Sequence, residues 1–413
     1  MRSSTAWHRA FSLIFSVLFF ASTHAAAQAG QLDPSFGQGG IVTTDFGNQI
    51  NSNIATATAV TIQPDGKILV CGGIPSSTGF PVAAIARYHS DGSLDSGFGT
   101  GGITVTKTLG TPTAIALQTD GKILVSGPTG GLKIAVARYS SNGSLDPTFG
   151  TGGIFTSRFN LGISGQSLMV VQPDGKILVA DGILLRLLPD GQVDSSFGNA
   201  GEAVVVGSST TSLALLPNGK ILVGAGNDFV TRYQSTGRLD KSFAINGQLP
   251  TAGAANALVL LSSGEFLVGG SLVSSLTKPA TTGFAVSGYQ AIGAVDTRFA
   301  TNGGVVTPVP NFTTVATSGL ALELNGFIVT FGTASAKSGS LAFALARYTG
   351  TGQLDTTFGL NGTVTTSFGT TSLAGNGLAI QADGKIVAVG GFTTTVPHGE
   401  FDTGFKLARY LGQ

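Results

Sequence analysis

Across 413 residues the chain has one cysteine, one tryptophan, two methionines and four histidines, and only 10% of its residues are Asp, Glu, Lys or Arg. Each shortage removes something. With Cys71 alone no intramolecular disulfide can form, so stability must come from packing. Cys71 follows the apolar run Ile68 to Val70 and reads as a small buried hydrophobe rather than a thiol that pairs between molecules. No Cys-x-x-Cys, His-Glu-x-x-His, Gly-x-Ser-x-Gly or Walker loop occurs, which leaves no recognisable catalytic or metal motif of those kinds. The formal charge is +1, a balance that argues against nucleic acid or an anionic membrane as electrostatic partner.

Long apolar runs are also missing, apart from one near the start. Arg2 and Arg9 flank a polar opening, Ala10 to Ala21 is a short apolar run, and Ala25-Ala26-Ala27 offers small residues before Gln28. That is the pattern of a secretory signal peptide, and the run is shorter than the ~20 residues a membrane span needs. Cleavage, rather than an uncleaved anchor, is therefore expected. The mature chain is then residues 28–413, a single domain with no membrane span, monomeric, and periplasmic or extracellular. Processing removes Trp7, His8 and His24, leaving His89 and His398 and no tryptophan. The lack of tryptophan weighs against the quinone-cofactor dehydrogenases and Trp-stacked sugar sites found among toroidal β folds.

What is abundant is glycine, 62 residues, more than double the usual share of about 7%. Much of it falls in copies of one stretch, Gln63-Pro-Asp-Gly-Lys-Ile-Leu-Val70. Pro64 pre-sets φ, Asp65 can hydrogen-bond its own backbone and Gly66 supplies positive φ, so the chain reverses between two β-rich runs. Related turns recur at Gln118–Lys122, Gln172–Lys176, Leu216–Lys220, Leu261–Glu265, Glu323–Phe327 and Gln381–Lys385. Two further signals keep step with it. Leu-Asp-x-x-Phe-Gly or a close variant places Asp33, Asp95, Asp146, Asp194, Asp240, Asp296 and Asp355 three residues before Phe36, Phe98, Phe149, Phe197, Phe243, Phe299 and Phe358. Ala-Arg-Tyr closes an apolar run at Arg87, Arg138, Arg232, Arg347 and Arg409, degraded to Arg186-Leu187 and Gly288-Tyr289; all six tyrosines lie in this column.

Each unit reads as four short strands, in the first Gly40 to Thr44, Ala57 to Gln63, Lys67 to Cys71 and Val82 to Tyr88. Successive Leu-Asp pairs are 62, 51, 48, 46, 56 and 59 residues apart. Seven four-stranded units of this period predict an all-β, seven-bladed β-propeller with antiparallel blades. An open solenoid would need polar capping units, which are not seen. The last unit stops at Arg409-Tyr410-Leu411-Gly412-Gln413, and the missing Leu-Asp-x-x-Phe-Gly is supplied by Gly30 to Gly37, so the ring is expected to close by joining the two ends. The three linked motifs resemble the delta-60 repeat of bacterial exported proteins over essentially all of Gln31 to Gln413. The resemblance implies propeller blades and carries no common activity or catalytic residues. Leu187, Gly288, Glu265 and Phe327 depart from the pattern.

Seven aspartates at one place per blade lie too far apart for acid–base work, which needs separations of about 5 to 10 Å. They are read as acceptors for backbone N–H groups in their turns, with Asp95 also facing Arg87. The Phe column is read as fastening neighbouring blades, and the Lys of Asp-Gly-Lys as a solvated turn charge. Function is sought where the repeat does not hold. Long connections at Gly73 to Pro81, Ser271 to Gly283, Gly332 to Ser340 and Phe392 to Gly404 belong to repeats 1, 5, 6 and 7, which are consecutive around a closed ring. Within them His398, Glu400 and Asp402 could hold a divalent metal; no other cofactor is expected. The expected function is a non-catalytic binding scaffold that takes a protein, glycan or envelope component on this loop face. A propeller hydrolase, lyase or oxidoreductase would require residues such as Glu202, Glu323, Glu400 or Asp402 to converge on the central channel. A structural cell-surface component would self-associate.

Overall fold

The computed structural model describes residues 28–49, 54–77, 79–130, 132–160, 166–206, 209–225, 228–262, 264–274, 281–370, 372–395 and 401–412. The expected signal peptide, residues 1–27, lies outside them.

Every regular element among the described residues is a β-strand, and the strands form seven four-stranded antiparallel sheets. The unit starts with the Asp-Gly hairpin. In the first, β2 (Thr56–Ile62) and β3 (Ile68–Ile74) flank a turn with Gly66 at φ 83°, and β4 (Val82–Tyr88) and β5 (Ile103–Thr106) complete the sheet in the order β2-β3-β4-β5. The two middle strands are almost wholly buried, Ile68, Leu69, Val70 and Cys71 being completely inaccessible. Polar alternation is absent there because each sheet is covered on both faces by its neighbours. Continuous apolar runs such as Ile-Leu-Val are what a doubly covered strand requires.

The fold is the expected seven-bladed propeller, four antiparallel strands to a blade, but the strand phase differs from the sequence reading. The strand after Leu-Asp-x-x-Phe-Gly is the outermost strand of the preceding blade, not the first of its own. Thus β1 (Ile41–Gln49) leaves the hairpin that follows it and pairs with β28 (Phe401–Tyr410), Ile41 opposite Ala408 and Thr44 opposite Phe405. Blade 7 is therefore β1-β28-β27-β26, with β26 at Ser372–Ile380 and β27 at Ile386–Thr395. Gly30 N–H donates to the Leu411 carbonyl at 2.7 Å and Leu411 N–H to that of Gln31 at 2.9 Å, which extends the latch beyond the strand.

Two columns fasten the blades. Phe36 packs among Ile68, Ala86 and Tyr88 of the next blade, and a Cβ at Gly92 would come within 2.9 Å of its ring, so Gly92 is set by this approach as well as by its φ of 89°. Tyrosine hydroxyls reach back to the outermost strand of the blade before: Tyr88 to Thr44 at 2.6 Å, Tyr139 to Thr106 at 2.7 Å, Tyr410 to Thr366 at 2.8 Å. Burial raises these phenols, that of Tyr139 to about 12.

Candidate functional site

On the face of the Asp-Gly turns, the column aspartates each accept a backbone N–H two residues on, as Asp33 does from Ser35 and Asp355 from Thr357, both at 3.0 Å. Their second oxygens take an arginine: Arg87 Nε donates to Asp95, Arg138 to Asp146, Arg186 to Asp194, Arg232 to Asp240 and Arg347 to Asp355, all at 2.8 Å, and Arg409 to Asp33 at 2.9 Å. Each of these guanidinium groups lies over the Phe of its own motif, 4.4 to 4.7 Å from the ring centre. Each then donates across the junction to a carbonyl in the next blade's turn: Arg87 to Ser141, Arg138 to Pro189, Arg186 to Ser235, Arg232 to Ala291, Arg347 to Gly412 and Arg409 to Ser90. Burial alone would raise Asp33, Asp95, Asp194, Asp240 and Asp355; hydrogen bonds and neighbouring cations outweigh it and hold all five below the usual carboxylate range. The lysines are not solvated turn charges. Lys67 Nζ stands 3.5 Å from Asp65 and 3.2 Å from Asp95, and Lys122, Lys176 and Lys385 bridge their turn and column aspartates in the same way.

The departures are local replacements of this scheme. Phe327, in the lysine position, lies under the Arg347 guanidinium at 4.7 Å. In blade 5 arginine becomes Gly288 and lysine becomes Glu265, and Arg298, from the turn after Asp296, pairs with both Asp296 and Glu265.

The central channel has a volume of 980 Å³ and is lined by the innermost strands of all seven blades, through Thr56, Thr113, Gln166, Thr211, Asn256, Thr317 and Asn376 among others. Many of these side chains are committed to the next blade: Thr58 to the Pro112 carbonyl at 2.5 Å, Thr113 to that of Ser167 at 3.0 Å, Thr211 to that of Ala255 at 2.7 Å, Asn256 to that of Thr317 at 3.1 Å, Asn376 to that of Ala57 at 2.7 Å. No carboxylate, imidazole, thiol or amine lines the channel among the described residues. Glu202 instead lies on the outermost strand of blade 3, paired with Arg158 at 3.1 Å. Glu323 is buried 3.6 Å from Arg347, where burial raises its carboxyl in spite of that cation. Asp402 is on β28, where partial burial and then the adjacent Asp45 carboxylate raise it. The convergence that channel chemistry would require is not formed by these three residues.

The opposite face carries the hairpins between the middle strands, and they are unequal. In blades 5, 6 and 7 the paired strands are long: β19 (Phe266–Ser274) with β20 (Thr281–Tyr289), β23 (Ile328–Ser335) with β24 (Leu341–Tyr348), and β27 with β28. In blades 3 and 4 they are short: β11 (Ile177–Ala180) with β12 (Ile183–Leu187), and β15 (Ile221–Ala225) with β16 (Phe229–Tyr233). Ten residues against four or five, at about 3.3 Å each, raise the longer hairpins on the order of 15 Å. In blade 1 the connection after Ile74 carries Phe80, a phenylalanine 73% exposed. Of the three candidate metal ligands, His398 and Glu400 lie outside the described residues, and among the described residues no group of three His, Cys, Asp or Glu could hold a metal.

A family model described as "Domain of unknown function (DUF5122) beta-propeller" matches residues 63–98, 118–149, 172–197 and 325–358, under a third of the chain. Each of the first three stretches runs from the Gln of an Asp-Gly turn to the Phe of the following Leu-Asp-x-x-Phe, the two motifs joined by the arginine relay. The chain is a β-propeller repeat protein. Of solved structures, the propeller is similar to one titled "Structure of U3-55K", with a TM-score of 0.52 and 10% identity, over 89% of this chain and 98% of that one. At that identity the likeness is one of fold alone. No curated protein matches the propeller.

Sequence reasoning placed the aspartates, phenylalanines and the Arg–Asp pair, but not the lysine bridges, the tyrosine links or the stand-in Arg298. The last was readable, since three replacements fall together in one blade: Gly288 for Arg, Glu265 for Lys and Arg298 for Ser, Thr or Gly.

Proposed function

We propose that this is a non-catalytic binding scaffold of the delta-60 type, exported to the periplasm or beyond, which takes a protein, glycan or envelope component on the hairpin crescent of blades 5, 6, 7 and 1. The observation that carries it is the asymmetry of that face. A ring of equivalent blades has no need to extend three consecutive hairpins and lengthen the connection of the blade beside them, and scaffold-borne loop clusters are where recognition concentrates. The crescent is rich in Ser and Thr, with Thr394, Ser335, Ser338 and Ser340 along its rims and Phe80 at one end, a mixture that suits hydrogen-bonded ligands with an apolar face. The absence of ionisable side chains from the channel lining among the described residues favours binding over catalysis.

The test compares residues 28–413 with a variant whose four hairpin connections are shortened, on a glycan array and against envelope fractions. Ligands kept by the parent and lost by the variant are expected, at equal melting temperature. Identical profiles would overturn the reading, and concentration-dependent self-association in place of ligand capture would move it to a structural surface component.

A further inference from the structure

Around the Asp-Gly face the arginine relay links blade 1 to 2, 2 to 3, 3 to 4, 4 to 5, 6 to 7 and 7 to 1. Between blades 5 and 6 there is none, because Gly288 stands in the arginine position. The groups that hold an arginine elsewhere are nevertheless all present there: the Asp296 carboxylate, the Phe299 ring, and the Gly350 carbonyl in the next blade's turn. They line a cavity of 280 Å³, together with Glu265, Arg298 and Tyr289.

We infer that this junction is a receptor site for a guanidinium group supplied from outside the chain. The recognition chemistry is already displayed six times in the same molecule: a carboxylate in line with Nε, an aromatic face beneath the plane, and a carbonyl taking an Nη across the blade boundary. Blade 5 keeps that arrangement and removes the resident cation. It also shifts the local charge. Where blade 1 sets Arg87 and Lys67 against Asp95 and Asp65, blade 5 sets only Arg298 against Asp296 and Glu265, an excess of one negative charge. Arg298, 70% exposed, holds Asp296 Oδ1 through Nε at 2.8 Å and Oδ2 through Nη2 at 3.0 Å, so it takes the share of that carboxylate that a lysine takes elsewhere. In blade 1 the equivalent Oδ2 accepts both Lys67 and Arg87, and it is the arginine's share that is open here. The site lies on the face opposite the long hairpins, so it stands independently of the function proposed for them.

Guanidinium could come from an arginine side chain of another protein or from a small guanidino compound, and two probe sets separate these. The full mature chain is titrated calorimetrically with methylguanidinium and free arginine, and with a blocked Gly-Arg-Gly peptide, each against its ammonium counterpart, methylammonium, lysine or blocked Gly-Lys-Gly. Saturable binding is expected, at least about tenfold tighter for the guanidinium member of each pair, because an ammonium cannot form the planar fork. Gly288→Arg should abolish it by restoring the resident cation. A Cβ at Gly288 would lie 2.7 Å from Phe299, a clash that opposes folding of this variant; Glu265→Lys, at a partly exposed turn, should weaken binding about tenfold or more without that clash. Binding of the small probes but not the peptide keeps the site and assigns it to a small cation. No saturable binding, equal affinity for guanidinium and ammonium, or unchanged affinity in Glu265→Lys would overturn it.

Discussion

Arg87 joins three things with one side chain: its own strand to the following turn through Asp95, its plane to Phe98, and its blade to the next through the Ser141 carbonyl. Removing it leaves Lys67 as the cation on the buried Asp95 carboxylate and the Ser141 carbonyl without its charged donor, a loss of about 2 to 3 kcal/mol. Arg87→Ala should lower stability by that order in urea titrations, and Arg87→Lys should rescue little of it, since an ammonium cannot serve all three partners. The column carboxyls fix the acid limit. Their folded values lie below the ordinary 3.8, so near pH 4 the folded chain binds fewer protons than the unfolded one, and their contribution is complete above that pH and lost as pH falls through the folded values. Melting temperature should therefore hold from pH 7 to about 5 and drop steeply below about 4. Glu323 has the opposite sign: raised from 4.5, its contribution is complete at low pH and lost as pH rises through its folded value. Glu323→Gln should melt higher than the parent at pH 7 and no differently at pH 3.

At the level of the element, strands and turns were legible because each is announced locally: Pro-Asp-Gly for the hairpin, Ile-Leu-Val for a strand covered on both sides, Leu-Asp for the next bend. The phase of the blade was not, because the partner of β1 is chosen by the closing of the ring and nothing within Ile41–Gln49 names it. The lysines were misread for a related reason. Lys67 is two residues from Asp65 and 28 from Asp95, and only folding brings the second carboxylate to it. Of the candidate site, the crescent could be read from loop lengths, while the protrusion of its hairpins depends on strand pairing that continues into the connections. Phe80→Ala tests the crescent at its most exposed aromatic: ligand retained by the parent should be lost, with melting temperature unchanged. Phe36→Ala, by contrast, should cost about 3 to 5 kcal/mol in the same denaturant assay.

For the molecule as a whole, the same Arg–Asp bond spans 8 residues in the blades formed by consecutive strands and 376 in the one that closes the ring. Contacts of that separation form late in folding and leave an unpaired sheet edge until they do. A variant lacking residues 28–49 should therefore expose the β28 edge, elute as oligomers in size-exclusion chromatography and melt well below the parent. The offset between sequence repeat and blade also governs how such a ring can change its size. A stretch copied or deleted from one Leu-Asp to the next contributes the last strand of one blade and the first three of another, so the chain still arrives with a spare strand in front and a vacant place behind. Blade number can thus change by whole units without redesign of the seam, and a ring of six or eight would be locked by the same Arg409 and Asp33.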